Sequence, residues 1–220
     1  MPEPAGEPDP PTVFLASRNR KKVAEMERIM AGQVPGLRVL GADDVAAYDE
    51  PVEDQPTFAG NALLKARAGL AATGLPTVAD DSGLCVDALN GMPGVLSARW
   101  SGPPKSDERN NRLLLAQLAD VPDERRGAFF ACAVALVVPR GDGLPPTEEV
   151  VEGRMDGRIV RAPRGSGGFG YDVVFVAAEH DTADLTTAEL EVAEKDLISH
   201  RGRALRALAP RLPTLLGLPD

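Results

Sequence analysis

Two adjacent aspartates stand out among the residues that could do chemistry. Asp80 and Asp81 follow a short apolar run and precede Ser82 in the segment "TVADDSG". We expect that run to be a buried strand that ends at the aspartates. Ligands of α/β sheets bind beyond the carboxyl ends of the strands, so this position suits a binding site. A carboxylate there can bind Mg²⁺ through oxygen or orient a water molecule. Adjacent residues of an extended chain face opposite sides, so we predict that one aspartate faces a cleft and the other fixes the loop. The alternative is a turn in which Asp and Ser side chains bond to their own backbone.

A basic segment at the first predicted strand–helix junction could bind phosphate. It reads "SRNRKK", from Ser17 to Lys22. Backbone N–H groups at a helix N-terminus point outward, and the helix dipole favours an anion there. Asn19 adds an amide donor, and Lys21 or Lys22 adds a full charge. The alternative is a solvated basic first turn with no ligand.

Two later segments could contact the rest of a ligand. "GSGGFG" matches G-x-G-x-x-G, but a β-type run follows it instead of a helix, so it is not a dinucleotide-binding fingerprint. Its backbone could still approach a ligand, with Phe169 as a stacking surface; the alternative is a flexible hairpin loop. "KDLISHRG" places Lys195, His200 and Arg201 near a predicted helix start. The alternative for that segment is a charged corner between helices.

The elements that must position these side chains alternate between helix and strand. Expected strands are Thr12–Ala16, "PTVA", "AFFACAVALVVP", an antiparallel return over "TEEVVEGRMDGRIV", and "YDVVFV". Expected helices run from Ser17 or Asn19 to Gly32, over Thr57–Thr73 before Gly74, over Ser106–Ala119, after a capping box at Thr186–Glu189, and from Ser199 onward. The class is therefore α/β, with parallel and antiparallel pairing and flanking helices.

Composition limits the possible partners. The 220 residues fit one large domain or two closely joined lobes, and the formal net charge is −9. That charge argues against binding to nucleic acid or to an anionic membrane surface, but a local cluster of Lys, Arg and metal could still hold a small anion. Cys85 and Cys132 lie in apolar surroundings and are expected to be reduced, which favours the cytoplasm. The Pro- and acid-rich residues 1–11 are expected to be a disordered extension rather than a secretory signal.

Five segments, taken in order, resemble the inosine triphosphate pyrophosphatase family, also called the Ham1-like family. They are "LASRNRKKVAE", "TFAGNALLKARA", "ADDSGLCVDALNGMPGVLSARWSG", "GGFGYDVVF" and "EKDLISHRGRAL". The resemblance extends over nearly the whole chain, from about Thr12 to Leu212. It implies a single two-lobed α/β domain over residues 12–220, with a mixed sheet and a central nucleotide-binding cleft.

The resemblance also implies an activity. The family hydrolyses purine nucleoside triphosphates with non-standard bases, such as ITP, dITP and XTP, to the monophosphate and pyrophosphate. Its members cleanse the nucleotide pool, require Mg²⁺ or a similar cation (one or more ions per subunit) and are usually homodimers. We therefore expect a cytoplasmic homodimeric enzyme with a purine nucleoside triphosphate as its substrate.

Site residues carry over by matching position. Asp81 resembles the family's proton acceptor and metal ligand, and Glu53 its other metal-binding carboxylate. The segment Ser17, Arg18, Asn19, Arg20, Lys21 and Lys22 resembles the triphosphate-binding loop. Lys65 matches a phosphate-side lysine and Ser82 a substrate contact. The base-recognition residues implied in this way are Phe169, Gly170, Tyr171, Asp172, Lys195, His200 and Arg201.

The chain departs from many relatives at three positions. Gly60 stands where many carry an acid, which implies the loss of a metal or hydrogen-bond contact. Arg18 and Arg20 replace smaller residues, which implies a changed affinity for phosphate.

Two other functions stay open: a pyrophosphatase of the related Maf-like fold, acting on modified pyrimidines or methylated nucleotides, and a non-catalytic purine nucleotide sensor without an Asp81–Glu53 metal pair.

Overall fold

The structure is a computed structural model that describes residues 10–31, 36–141 and 143–218. The predicted disordered extension therefore lies outside the described residues except for Pro10 and Pro11, and Gly32, the predicted end of the first helix, also lies outside them. Strands are β1 Thr12–Leu15, β2 Arg38–Leu40, β3 Thr77–Val86, β4 Gly127–Val138, β5 Thr147–Ile159 and β6 Phe175–Ala177. Helices are α1 Arg20–Ala31, α2 Phe58–Thr73, α3 Asp107–Gln117, α4 Val192–Ile198, α5 His200–Leu208 and α6 Leu212–Leu216.

One mixed sheet joins the strands in the order β2-β1-β3-β4-β5-β6. β1 is parallel to both of its neighbours, whereas β3, β4, β5 and β6 pair antiparallel. The apolar run Ala128–Val138, with its phenylalanines and valines, explains why β4 is long and central, because such residues pack well on a pleated surface. The predicted α/β class with parallel and antiparallel pairing is confirmed.

Helices cover both faces of one end of the sheet. On one face, Val78 of β3 and Val134 of β4 pack against α1, α5 and α6 through Met26, Leu205 and Leu212. On the other face, the alanines of β3 and β4 pack against α2 through Ala62 and Ala66. The far ends of β3, β4 and β5 form a separate core with α3, centred on Leu84, Leu114, Phe130 and Met155. The molecule therefore has two lobes, with a cleft where they meet.

Several predicted helix ends are confirmed. Oδ1 of Asn19 accepts the N–H groups of Lys21 and Lys22, so Asn19 caps α1. Thr57 caps α2 by accepting the Gly60 N–H, and Gly74 ends that helix with a φ of +71°, which glycine adopts without strain. Two further helices start after the predicted serines, α3 after Ser106 and α5 after Ser199.

The predicted end of a strand at the aspartates is wrong. β3 continues through both aspartates to Val86, with Asp80 opposite Val134 and Asp81 opposite Ala133. The long apolar β4 offers hydrogen-bonding partners along the whole segment, and the buried carboxylates have cationic and amide partners. The aspartates therefore lie in the middle of a central strand.

The predicted capping box and the strand "YDVVFV" also differ from the structure. Glu189 does accept from the N–H and hydroxyl of Thr186, but this closes a turn, and α4 begins only at Val192. Of the predicted strand, residues Asp172–Val174 form a 3₁₀ turn, and only Phe175–Ala177 pair in the sheet.

Candidate active site

A cavity of about 550 Å³ lies in the cleft between the lobes. The sequence assigned seventeen residues to a site, and all except Arg20 line this cavity. They are Ser17, Arg18, Asn19, Lys21, Lys22, Glu53, Lys65, Asp81, Ser82, Phe169, Gly170, Tyr171, Asp172, Lys195, His200 and Arg201. The exception is Arg20, whose exposed guanidinium pairs with Asp43 Oδ2 at 3.0 Å, away from the cavity. Arg18 lines the cavity but is paired with Glu50.

Asp80 organises a buried group of charges on the α1 and α5 side of the sheet. Its Oδ2 accepts from Lys22 Nζ at 3.0 Å and from both Nε and Nη2 of Arg201 at 3.2 Å. Arg201 also pairs with the buried carboxylate of Glu25 and donates to Ser82 Oγ at 3.0 Å. Burial by itself raises the pKa of Asp80, but Lys22 and Arg201 outweigh it and hold that pKa far below the usual range. Asp80 thus fixes two cations at the cavity wall.

Asp81 faces the opposite side, toward α2. Its Oδ2 accepts from Asn61 Nδ2 at 2.9 Å, and its Oδ1 accepts from the Ser82 N–H at 3.0 Å. Lys65 Nζ lies 3.9 Å from Oδ1. Burial raises the pKa of Asp81 above its ordinary value in spite of Lys65, and the nearby Glu53 adds to the rise. The two aspartates face opposite sides as predicted, but both line the cavity, and Asp80 holds side chains of α1 and α5 instead of fixing a loop.

Glu53 lies on the same side of the cavity as Asp81. Its Oε1 is 2.5 Å from Lys65 Nζ, and Arg99 donates to its backbone carbonyl at 2.8 Å. Burial by itself raises the pKa of Glu53, but the charge and hydrogen bond of Lys65 outweigh burial, so the pKa of Glu53 lies below its usual range. Lys65 in turn lies between two carboxylates, as a single cation that contacts both.

The donor set of Glu53 and Asp81 fits Mg²⁺. Mg²⁺ prefers oxygen ligands and is usually held by one or two carboxylates together with substrate phosphates and water. The two carboxylates already share a cation, the Lys65 amine, so this part of the cavity favours positive charge. Within the described ranges there is no group of three or more His, Cys, Asp or Glu side chains arranged for a metal. A metal here would therefore depend on oxygen atoms from a ligand.

The glycine-rich loop holds an aromatic ring at the other end of the cavity. Asp172 Oδ2 accepts from the Phe169 N–H at 2.8 Å and from Lys195 Nζ at 2.5 Å. The Phe169 ring centroid lies 5.6 Å from Lys195 Nζ and 5.8 Å from the Arg201 guanidinium carbon. The ring is thus placed beside two cations, where a planar ligand could stack.

His200 forms a buried part of the same wall. Its ring stacks on Phe130 with centroids 4.9 Å apart, and its Nδ1 has no hydrogen-bond partner among the described residues. Burial, reinforced by Arg201 and Lys195, keeps the pKa of His200 well below 6.5. The imidazole is therefore neutral at neutral pH and can act as a donor or acceptor of one hydrogen bond.

The structure adds residues that sequence reasoning missed. Asn61 and Arg99 contact the two carboxylate segments, while Asp107 Oδ2 accepts from the Gly170 N–H at 2.7 Å and Asn111 Nδ2 donates to the Gly170 carbonyl at 2.9 Å. The sequence did contain a sign of a role for Asn61, because it is a polar residue beside the apolar face of α2.

The glycine at position 60 affects the helix cap, not the cavity wall. A Cβ at Gly60 would lie 2.8 Å from Gln55 Cβ and 3.1 Å from Thr57 Oγ1, so position 60 faces the cap of α2. An acid three residues after a capping threonine is the second half of a capping box. The geometry therefore relates this departure to capping of α2 instead of to a lost metal contact.

The fold and the cleft define a class of α/β proteins with a site for a ligand that is both anionic and planar. Lys22 and Lys65 pair with carboxylates in one part of the cavity wall, and the Phe169 ring lies beside the Lys195–Asp172 pair in another. The chain belongs to the Ham1 family, whose sequence pattern matches residues 13–211.

Relatives of known name agree with this assignment. The chain is 62% identical over 205 residues to a dITP/XTP pyrophosphatase of Nocardia farcinica, covering 92% of this chain and 95% of the relative. It is similar to the crystal structure of a nucleoside-triphosphatase / dITP/XTP pyrophosphatase from Mycobacterium abscessus, with a TM-score of 0.71, 54% identity, and coverage of 90% and 99% of the two chains. It is also similar to a HAM1 protein from Coxiella burnetii, with a TM-score of 0.80, 36% identity, and coverage of 92% and 98%.

Proposed function

We propose that this chain hydrolyses purine nucleoside triphosphates with non-standard bases, such as ITP, dITP and XTP, to the monophosphate and pyrophosphate, and so cleanses the nucleotide pool. The observation that carries the proposal is the cleft itself. Lys22 and Lys65 stand near two carboxylates at one end, and Phe169, Lys195 and His200 stand at the other. The names of the similar proteins from Nocardia and Mycobacterium support the same activity.

The lysines and the capped helix account for binding of the triphosphate. The N-terminus of α1 offers a favourable dipole to an anion, while the Lys21 and Lys22 N–H groups are bonded to the Asn19 cap. Lys22 and Lys65 supply positive charge to the phosphates and to the charge that develops on pyrophosphate as it leaves. Both amines are held by carboxylates, so they are positioned before the nucleotide arrives.

Asp81 is the residue that orients and deprotonates the attacking water. It lies in the cavity wall with one carboxylate oxygen held by Asn61 and the other by the Ser82 N–H. In this mechanism Asp81 orients a water toward the α-phosphorus and receives its proton as the bond to the pyrophosphate oxygen breaks. An aspartate is a weak base, and burial raises the pKa of Asp81 in the absence of a bound cation.

Mg²⁺ would be held by Glu53 and Asp81. When bound, the ion neutralises phosphate charge and increases the acidity of bound water. The proposal predicts that removal of divalent cations abolishes hydrolysis.

Recognition of the base follows from the other end of the cleft. Phe169 provides a stacking surface, and Lys195, His200 and Arg201 surround it with hydrogen-bonding groups. A purine with a 6-keto group presents an acceptor to the cations Lys195 and Arg201 and to the N–H of the neutral His200, whereas adenine presents an amino group. A site built on such a hydrogen bond can reject the mismatched base by about 10⁴-fold or more.

The family resemblance also supports a homodimeric, cytoplasmic enzyme. No helix in the described part of the chain is long and apolar enough to cross a membrane. Light scattering coupled to size exclusion would test the dimer, with a mass near twice that of the 23.2 kDa chain expected.

A nucleotide sensor is the second function to be tested. Such a protein would keep the stacking ring and the basic residues but would not need the pair Glu53 and Asp81. The presence of both carboxylates at one cavity wall favours the enzyme.

Steady-state kinetics separate the two. We expect kcat/KM for ITP, dITP and XTP to exceed that for ATP by orders of magnitude, with pyrophosphate as the product. In H₂¹⁸O, the label should appear in the monophosphate, since water attacks the α-phosphorus. Equal kcat/KM values for ITP and ATP would contradict the specificity, and ITP binding without hydrolysis would favour the sensor.

A further inference from the structure

A single buried amide joins the two segments that carry the cavity carboxylates. Asn61, in the first turns of α2, is fully buried. Its Nδ2 donates to Asp81 Oδ2 at 2.9 Å, and its Oδ1 accepts from the Gln55 N–H at 3.0 Å. Asp81 belongs to β3, whereas Gln55 lies two residues after Glu53 in the loop before α2. One side chain therefore spans the strand and the loop.

The chemistry of the partners fixes which way the amide faces. A backbone N–H can only donate, so the atom of Asn61 that faces Gln55 must be the oxygen. The nitrogen then faces Asp81, whose carboxylate can accept. An aspartate at position 61 could satisfy Gln55 but would bring a second carboxylate against Asp81. Both hydrogen-bonding functions of an asparagine are used.

The loop is held at a second point by a residue from another element. Arg99 donates to the Glu53 carbonyl at 2.8 Å, two residues before the contact of Gln55 with Asn61. Lys65, one helical turn after Asn61, contacts the side chains of both Glu53 and Asp81. The backbone is thus tied down at Glu53 and at Gln55, and Asn61 makes the tie that also reaches Asp81.

We propose that Asn61 is a positioning residue that sets the place of Asp81 relative to Glu53 for hydrolysis. The inference depends on the proposed function only for the reaction that it serves; the placement itself can be measured separately. Asn61 does not line the cavity, so it acts through Asp81 and the loop and not by contact with the nucleotide.

Two variants and one control test the proposal. Asn61→Leu keeps the branched shape at Cγ in a larger side chain and removes both hydrogen bonds, whereas Asn61→Asp keeps an acceptor for Gln55 and removes the donor to Asp81. Ala66→Gly is the control, because Ala66 is fully buried in the same helix and packs in the core instead of against either carboxylate segment. A glycine there costs about 1 kcal/mol of helix stability, so the control reports loss of stability alone.

The first readout is the separation of kcat from KM. We expect both Asn61 variants to lower kcat for ITP by about 10- to 100-fold, the usual effect of removing a partner that orients such a ligand, with KM little changed. The control should keep the wild-type kcat at a temperature where all the proteins are folded. If Asn61→Leu does not fold, Asn61→Asp supplies the same comparison.

The second readout does not depend on turnover. Mn²⁺ binding, followed by electron paramagnetic resonance with a non-hydrolysable ITP analogue, should be about tenfold or more weaker in Asn61→Leu than in the control. Wild-type kcat and Mn²⁺ affinity in both Asn61 variants would overturn the inference while leaving the proposed function intact. A wild-type protein that releases no pyrophosphate would instead overturn the proposed function, and the Mn²⁺ comparison would still decide the role of Asn61.

Discussion

Asp80 and Asp81 are adjacent in β3, yet their carboxylates face opposite sides of the sheet and have different partners. Asp80 accepts from Lys22 and Arg201, whereas Asp81 accepts from the uncharged Asn61. The environments move their pKa values in opposite directions, down for Asp80 and up for Asp81. The pair therefore combines an ion-paired aspartate with one whose charged form is disfavoured by burial.

Replacement of Asp80 should unfold the protein more easily than replacement of Asp81. Asp80→Asn leaves Lys22 and the buried Arg201 without the charge that holds them, and removal of one partner of a buried ion pair costs about 3–5 kcal/mol. Asp81→Asn is the matched control, since burial already disfavours its charged form. The free energies of unfolding from urea titrations would check this. Equal losses in the two variants would contradict the division of roles.

Removal of the Phe169 ring should weaken catalysis without a change in fold. Stacking of a base on an aromatic side chain contributes about 1–3 kcal/mol, so Phe169→Ala should lower kcat/KM for ITP by about 5- to 150-fold. Phe169→Tyr keeps the stacking surface and should retain most of the activity. Steady-state kinetics on the three proteins would check the prediction, and equal loss in both variants would show that the ring does not stack on the base.

The buried His200 predicts a loss of stability in mild acid. Its folded pKa is well below 6.5, whereas in the unfolded chain it is about 6.5, so below that pH the unfolded state binds a proton that the folded state does not. The free energy of unfolding should therefore fall as pH decreases from about 6.5, by at most about 1.4 kcal/mol per pH unit from this group.

The matched variant for that experiment is His200→Gln. It loses the stacking on Phe130 at every pH, so only the slope is compared. Urea titrations between about pH 7 and about pH 5.5 span the window in which the unfolded histidine titrates. We expect a steeper slope in the wild type, and identical slopes would mean that His200 does not cause the loss.

Arg99 should affect the requirement for metal. It holds the Glu53 carbonyl at 2.8 Å, and its guanidinium lies 3.7 Å from the Glu53 carboxylate. Arg99→Met should raise the Mg²⁺ concentration for half-maximal activity by about tenfold or more, because the loop that carries Glu53, the proposed metal ligand, loses a hydrogen bond that holds it. Arg112→Met is the control, since Arg112 is exposed and pairs with Glu108, away from Glu53. An unchanged Mg²⁺ dependence in Arg99→Met would separate Arg99 from the metal site.

Local signals in the sequence were sufficient for much of the fold and of the cavity wall. Lys22 follows a capped strand–helix junction, and the caps Thr57 and Ser199 obey rules that depend on a few neighbouring residues. The resemblance by motif placed Lys65 and Phe169 correctly in the cavity wall. These positions could be predicted because short segments of the sequence determine them.

The features that were missed depend on contacts between distant parts of the chain. The continuation of β3 through Asp80 depends on pairing with β4 and on ion pairs with two helices. Arg99 and Glu53 are 46 residues apart, and nothing near either one indicates the other. The capping box at Thr186 was a correct local pattern that closes a turn, since the pattern cannot tell whether a helix follows.

The most direct test of the central claim is pyrophosphate release from ITP by the wild type and by Asp81→Asn, with Mg²⁺ and with EDTA, and with ATP as the comparison substrate. We expect fast release only from ITP, only with Mg²⁺, and only in the wild type, while Asp81→Asn stays folded. ITP binding without pyrophosphate release by the wild type, or an Asp81→Asn variant as active as the wild type, would contradict the assignment of Asp81 as the residue that directs water at the triphosphate.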